Sequence, residues 1–171
     1  MTTSNDNAYK ELDLPDKIHL TVATVVERDG LFLLVEETRD GVQVINQPAG
    51  HVEPGESVLD AAVRETLEET GWRVRLTGFI GFSHHLAVAS GITYYRVSFV
   101  AETETFDAQA EIDADIDAVV WLSLEELEQR VDGLRSPMVL DCIHRYRRGE
   151  VFPPETTDIP SDRQPVERVV R

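Results

Sequence analysis

Residues 50–72, GHVEPGESVLDAAVRETLEETGW, are the stretch that most constrains the fold of this chain. Ser57 is suited to begin a helix, because its side-chain oxygen can accept a hydrogen bond from the first turn. Gly71 is suited to end one, since glycine readily adopts the left-handed conformation that closes a helix. No proline or glycine lies between them. The stretch therefore predicts a loop followed by a helix over residues 57–70.

The predicted helix carries three carboxylates on one face. At about 100° per residue, Glu68 lies about 60° to one side of Glu65, and Glu69 about 40° to the other. The apolar residues and threonines on the opposite side would pack against a sheet: Leu59, Val63, Thr66, Leu67 and Thr70. Ala61 and Ala62 fall nearer the acidic face, where their small side chains would leave room beside it.

Three like charges at this spacing repel one another, so their proximity needs a reason. A bound Mg²⁺ or Mn²⁺ supplies one, because these ions take oxygen ligands from carboxylates and substrate phosphates. Arg64 is placed to reach back to Glu56 and brace the loop against the helix. Gly50 and Gly55 permit backbone turns that a Cβ would obstruct. The alternative is a solvated acidic helix face, which is the commoner explanation of a charge run.

Spacing favours the metal site over the solvated face. The stretch fits the pattern G-x5-E-x7-R-E-U-x-E-E-x-G-U, where U is aliphatic. Seven fixed positions of this kind coincide by chance roughly once in 10⁸ starting points. The chain thus resembles the Nudix hydrolases. It departs from the pattern at Thr66 and Trp72, both of which are packing positions.

The resemblance implies an α/β fold, a Nudix-type α/β/α sandwich with a central mixed β-sheet. It also implies metal-dependent hydrolysis with Mg²⁺ or Mn²⁺ as cofactor, and it makes Glu65, Glu68 and Glu69 the expected metal ligands. Glu56 and Arg64 complete the expected catalytic group, and the Ala49 carbonyl is a further expected ligand. An acidic residue from a later loop often completes the site in this family, and three candidates remain open: Glu111, Asp113 and Asp115.

The flanking runs HLTVATVV, LFLLVEET, NQPAGH, DIDAVVW and LRSP resemble the NudJ phosphatase branch of the family. That branch implies in-line attack of activated water on phosphorus of nucleoside tri- and diphosphates or hydroxymethylpyrimidine pyrophosphate. Two alternatives stay open. One is a Nudix-fold nucleotide sensor without catalysis, and the other is a pyrophosphatase for ADP-ribose or oxidised nucleotides. No proline lies within residues 82–91, which weakens the ADP-ribose reading.

Three residues outside the motif are expected to contact substrate. Arg96 lies in an otherwise apolar strand, so it needs an anionic partner from the protein or the substrate. His84 is placed in a predicted loop over residues 84–91 that could line the pocket. Arg135, in the LRSP turn, could approach the substrate from a third direction.

The remaining segments give the domain organisation. A flexible arm over residues 1–16 precedes a catalytic domain over residues 17–149, and a Pro-rich tail follows over residues 150–171. A helix is expected from Ser136-Pro137 to about Arg148, and an acidic irregular segment at residues 102–117. The predicted strands are residues 19–26, 31–36, 42–45, 74–82, 94–101 and 118–122. Asp29-Gly30 and Asp40-Gly41 predict turns that join the first three strands as hairpins, and Ser123 with Glu126 predicts a capping box.

Bulk composition limits the partners. The 16 basic and 32 acidic residues give a net charge of −16, which disfavours long nucleic acid and anionic membranes as partners. The single cysteine, Cys142, excludes an intrachain disulfide and is expected to pack in the core. No secretory signal or membrane span is evident, so we expect a cytoplasmic protein, either a monomer or a homodimer, that acts on a small phosphorylated substrate.

Overall fold

The computed structural model describes residues 17–157 of the protein. The expected arm, and residues 158–171 of the expected tail, lie outside the described residues. The strands are β1 Ile18–Arg28, β2 Leu31–Arg39, β3 Val42–Asn46, β4 Ala49–His51, β5 Trp72–Ala87, β6 Ile92–Phe106 and β7 Ile116–Ser123. The α-helices are α1 Val58–Thr70, α2 Leu124–Glu128 and α3 Met138–Arg147, with short 3-10 turns at Val131–Gly133 and Pro154–Thr157.

The seven strands form one mixed sheet. Five of them follow one another in the order β3-β2-β1-β6-β5. Strands β1 and β6 are parallel, and the other neighbours are antiparallel. The two short side strands pair off this path, β4 with β1 and β7 with β2. Because β1 pairs with β4 over Thr21–Ala23 and reaches β2 only at Glu27 and Arg28, the sheet opens between its two halves.

Two Asp-Gly turns fix the hairpins that lead into the site. Asp29 and Gly30 have φ of 53° and 81°, and Asp40 and Gly41 have φ of 52° and 78°. Positive φ at both central residues is the geometry of the tight turn that matches the twist of paired strands. The hairpins predicted from these dipeptides are thus confirmed. The second one sets the register that pairs Asn46 with Val35, and the Asn46 side-chain nitrogen lies 3.5 Å from Glu37.

Helices cover both faces of the sheet, which confirms the α/β/α sandwich. On one face, Ala61 and Ala62 of α1 pack against Val22, Val97 and Phe99. On the other face, α2 and α3 enclose a larger core that includes Phe32, Leu34, Ile80, Val100, Leu127, Val139 and Ile143. Cys142 is buried in this second core, as expected, and its thiol lies 3.1 Å from the Ser98 hydroxyl.

Helix α1 is capped as the sequence predicts, but its buried face differs. The Ser57 side chain accepts a hydrogen bond from the Asp60 amide, and Gly71 closes the helix at φ 73°. Ala61 and Ala62, expected beside an open acidic face, are instead completely buried. Their small side chains let α1 approach the sheet closely, so the buried stripe is rotated towards the carboxylates. Glu65 and Glu69 therefore lie at the edge of the packing face rather than opposite to it.

The β5–β6 hairpin is longer than the sequence suggests. The loop predicted over residues 84–91 is wrong in its first half, because β5 continues to Ala87 and pairs with β6 down to Ile92. The irregular segment predicted at residues 102–117 is likewise shorter, since β6 extends to Phe106 and β7 begins at Ile116. Cross-strand pairing orders polar residues here that carry no strong strand signal of their own.

The C-terminal part of the described chain packs back on the sheet. Ser123 and Glu126 form the predicted capping box at the start of α2. Beyond α3, the backbone of Phe152 exchanges hydrogen bonds of 2.7 and 2.8 Å with Phe79 on the outer edge of β5. None of the helices within residues 17–157 is long and apolar enough to cross a membrane.

A buried hydroxyl pair explains why α1 carries Thr66 at a position where the motif has an aliphatic residue. Thr66 donates to the Ala62 carbonyl at 2.7 Å, so the Thr24 hydroxyl is the donor in the 2.8 Å contact between the two threonines. We expect Thr66→Val to leave the buried Thr24 hydroxyl unpaired and to lower the free energy of unfolding by about 1–3 kcal/mol. Urea denaturation would measure the loss.

The double variant Thr24→Val/Thr66→Val is the control for this prediction. Replacing both partners by apolar groups of the same shape removes the unpaired hydroxyl. The double variant should therefore be more stable than Thr66→Val alone. Simple addition of the two single-variant losses would show that the hydroxyl pair is not coupled.

Candidate active site

The site is built where β4 passes the middle of α1. The two elements approach so closely at Gly50 that a Cβ there would lie 2.1 Å from the carboxyl carbon of Glu65. Real Cβ atoms do not approach other atoms at this distance, so glycine is the residue that fits. The sequence predicts this glycine for its backbone freedom. In the structure, the Glu65 carboxylate occupies the space that a side chain at Gly50 would fill.

Glu69 is the most enclosed of the three helix carboxylates. It accepts a hydrogen bond of 2.8 Å from the Ala49 amide. Burial raises the pKa of Glu69 to about 8, and the neighbouring carboxylates Glu65, Glu37 and Asp113 push it in the same direction. Burial also raises the pKa of Glu65. A buried carboxylate among other carboxylates favours a cation beside it.

Arg64 connects the loop to the helix, as the sequence predicts. Its guanidinium donates two hydrogen bonds of 2.8 Å to the two carboxylate oxygens of Glu56, and one of 3.0 Å to the His51 carbonyl. The remaining terminal nitrogen donates to Glu65 at 2.8 Å and to Glu68 at 2.9 Å. The hydrogen bonds that Arg64 donates to Glu56 hold the pKa of Glu56 below its ordinary value. One cation thus fixes the loop and offsets the repulsion between two of the helix carboxylates.

The acidic loop brings one of its three candidates to the helix. The Asp113 amide donates to the Glu68 carbonyl at 2.9 Å, and the Asp113 charge acts on Glu69. Asp115 instead accepts a hydrogen bond of 2.9 Å from Arg39. All three candidates are exposed, so the backbone contact to α1 is what distinguishes Asp113. Of the three, Asp113 therefore lies best placed to join the carboxylates of α1.

Arg96 lies in a buried polar cluster beside these carboxylates. Its side chain is 6% exposed, and one terminal nitrogen lies 3.4 Å from the Asn46 side-chain oxygen and 3.5 Å from that of Gln47. Both contacts are long for hydrogen bonds. The Arg96 Nε atom has no hydrogen-bond partner among the described residues. A buried guanidinium held this loosely has donor capacity left for an anion.

Arg135 joins the same cluster through Glu37, and His84 does not. The Arg135 Nε lies 3.6 Å from Glu37, a carboxylate that is 4% exposed and that also accepts from Arg39 at 2.6 Å. His84 pairs with Tyr95, so it projects from the face of the sheet opposite to Arg96. The adjacent residue, His85, shares the face of Arg96.

Sequence reasoning missed Glu37, Asn46 and Gln47. Glu37 was detectable in principle, because it occupies the same strand face as the buried Leu33 and Val35. A charged side chain on the buried face of a strand indicates an oppositely charged or hydrogen-bonding partner in the protein interior. Asn46 and Gln47 give no such signal, because they fall at the end of a short strand and in the connection that follows.

The donor set fits a hard divalent cation. Glu65, Glu68, Glu69 and the Ala49 carbonyl offer oxygen ligands only, which suits Mg²⁺ or Mn²⁺. Within residues 17–157 no three ligand-type side chains already converge on one point. The Arg64 guanidinium holds one oxygen of Glu65 and one of Glu68.

Comparison with known proteins agrees with the geometry. The model of the NUDIX domain matches residues 17–142. The chain is 41% identical over 139 residues to proteins named phosphatase NudJ from Escherichia coli K12 and Shigella flexneri, which covers 81% of this chain and 90% of each relative.

Solved structures give the same result. A NUDIX hydrolase from Nitrosomonas europaea superposes with a TM-score of 0.81 at 37% identity, covering 84% of this chain and 98% of that one. The E. coli ORF135 protein superposes with a TM-score of 0.61 at 27% identity, over 78% and 93% of the two chains. The motif, the fold and the relatives agree, and this chain belongs to the Nudix family as a Nudix hydrolase.

Proposed function

We propose that this hydrolase cuts phosphoanhydride or phosphate bonds in small nucleotides or pyrophosphates, with Mg²⁺ or Mn²⁺ as cofactor. The observation that carries the proposal is the enclosure of Glu69 and Glu65 against Ala49 and Gly50, which concentrates negative charge where a cation and a phosphate can meet. The similarity to phosphatase NudJ favours nucleoside tri- and diphosphates and hydroxymethylpyrimidine pyrophosphate as substrates.

Different residues of the site have different proposed roles. Glu65, Glu68 and Glu69, with the Ala49 carbonyl, hold the cation, and Arg64 and Glu56 keep the loop and helix in register. When bound, the ion neutralises phosphate charge and lowers the pKa of the attacking water. Asp113 is our candidate for the additional carboxylate, either as a ligand or as the base that accepts a proton from water. Arg96 lies where its free N–H groups can offset charge on the substrate phosphates.

The direct test of the activity is chromatographic separation of the products formed from a panel of compounds with Mg²⁺. The panel contains nucleoside di- and triphosphates, hydroxymethylpyrimidine pyrophosphate, ADP-ribose and an oxidised nucleotide. Reaction in ¹⁸O-labelled water identifies the phosphorus that is attacked. Binding of a nucleotide without hydrolysis of any compound would favour a sensor instead.

Glu68 is the carboxylate whose replacement disturbs the fold least, because its side chain is 48% exposed. We expect Glu68→Gln to lower kcat by about two to three orders of magnitude at saturating Mg²⁺, the range seen when one charge-stabilising group is removed. The melting temperature should stay close to that of the wild type. Asp60→Asn is the matched control, since Asp60 is an exposed acid on the same helix. Near-normal turnover of Glu68→Gln would contradict the assignment of Glu68 as a ligand of the catalytic cation.

Gly50 offers a test of carboxylate placement. Gly50→Ala inserts a methyl group into the space of the Glu65 carboxylate and forces that group to move. We expect a fall in kcat of about a hundredfold, because misplacing a catalytic group by about 1 Å costs this much. Gly133→Ala is the control, since a Cβ at Gly133 meets nothing within 4 Å. Equal activity of the two variants would contradict the role given to Glu65.

Arg96 can be tested separately as a phosphate contact. Arg96→Lys keeps the positive charge but removes the planar array of donors. If these donors bind substrate phosphate, KM should rise about tenfold, consistent with loss of one charge-assisted hydrogen bond. The readout is KM and melting temperature together. An unchanged KM with a lowered melting temperature would show that Arg96 serves only as a counter-ion for Glu37 and Glu69.

A further inference from the structure

Three rings from three neighbouring strands form a cluster at one end of the sheet. His19 of β1 lies 5.0 Å from His51 of β4 and 5.3 Å from Tyr94 of β6, measured between ring centroids. The His51 and Tyr94 centroids are 6.3 Å apart. The His19 Nδ1 and His51 Nε2 atoms share a hydrogen bond of 2.9 Å, which orients the two imidazoles. We call these three residues the ring cluster.

The ring cluster lies beside the candidate active site. Tyr94 and Arg96 are two residues apart on β6, so they share a face of the sheet and are separated by about 7 Å along the strand. His51 directly follows Gly50, and its carbonyl accepts a hydrogen bond of 3.0 Å from Arg64. A molecule whose phosphates reach Arg96 and the carboxylates would therefore extend its other end towards the ring cluster.

The charge on this face differs from that of the whole protein. The net charge of the chain is −16. Cross-strand pairing nevertheless surrounds Tyr94 and Arg96 with neutral or basic residues on the same face: His19, Thr21, Ser83, His85 and His51. The cross-strand neighbours of Tyr94 and Arg96 on this face thus include no carboxylate.

Packing of the core does not account for the ring cluster. None of the three rings belongs to a core cluster formed by the described residues. His19 and Tyr94 are half-buried, and His51 is exposed. Histidine and tyrosine combine a flat apolar surface with polar atoms at the ring edge, which is the combination that binds heteroaromatic rings.

We infer that His19, His51 and Tyr94 bind the heteroaromatic ring of the substrate while Arg96 and the helix carboxylates engage its phosphate end. This inference rests on the proposed function and adds the part of the site that selects among phosphorylated compounds. It assigns specificity to residues outside the motif, for substrates that carry a nucleobase or a pyrimidine ring. Phosphorylated compounds without such a ring would bind through their phosphates alone.

Tyr94 and Tyr95 provide a matched pair for the test. The two are the same residue type in consecutive positions, but Tyr95 projects to the other face, against Phe82 and His84. Isothermal titration calorimetry with Mg²⁺ would compare the β,γ-imido analogues of ATP and CTP with inorganic tripolyphosphate. The quantity measured is the ratio of nucleotide affinity to tripolyphosphate affinity in the wild type, Tyr94→Leu, Tyr94→Phe and Tyr95→Leu.

In Tyr94→Leu the ratio should fall about tenfold for at least one nucleotide, within the range of one base–aromatic stack. Tyr94→Phe keeps the ring and should retain the ratio, as should Tyr95→Leu. A ratio near one in the wild type, an unchanged ratio in Tyr94→Leu, or an equal fall in Tyr95→Leu would each overturn the inference. Hydrolysis of the compound panel by the wild type is assayed separately. Its absence would refute the proposed hydrolysis while the affinity ratio still decides whether the ring cluster binds the ring.

Discussion

The arrangement of the site depends on the contacts of Arg64. A planar guanidinium has five N–H donors in fixed directions, so it can hold several oxygens in one geometry. Here its partners are the Glu56, Glu65 and Glu68 carboxylates and the His51 carbonyl. Without this cation, the loop over residues 50–56 would have no polar link to the side chains of α1, and the carboxylates would repel one another unshielded. The same contacts keep the Glu65 and Glu68 carboxylates near one another.

A second constraint is that one helix serves both the core and the site. Ala61 and Ala62 let α1 pack closely on β1 and β6, which brings Glu65 and Glu69 to the border of the packed surface. Burial there raises the pKa of Glu69 to about 8, so the position is costly for an isolated carboxylate. Glu68 lies on the side of α1 away from the sheet, and its side chain stays half-exposed. The graded burial of three chemically identical groups gives each of them a different electrostatic environment.

The sequence was sufficient for the features that local spacing determines. The position of α1, its caps, the two Asp-Gly hairpins and the contact between Arg64 and Glu56 all follow from residues fewer than ten positions apart. Prediction from the sequence failed for the features that tertiary packing determines. The burial of Ala61 and Ala62 depends on how closely the sheet approaches, and the extension of β5 through His84 depends on its partner strand. The face on which His84 or His85 projects depends on register, which a single-residue shift reverses.

Register also separates the proposed cation ligands from the residues that we infer bind the rest of the substrate. The proposed ligands come from one continuous stretch, where a motif can preserve their spacing. The ring cluster comes from β1, β4 and β6, and its three residues meet only through strand pairing. His19 and Tyr94 are 75 positions apart in the chain and are exact cross-strand partners. If the ring cluster binds the substrate ring, substitutions at such positions would change what is bound without altering the carboxylates, and relatives with the same motif would act on different phosphorylated compounds.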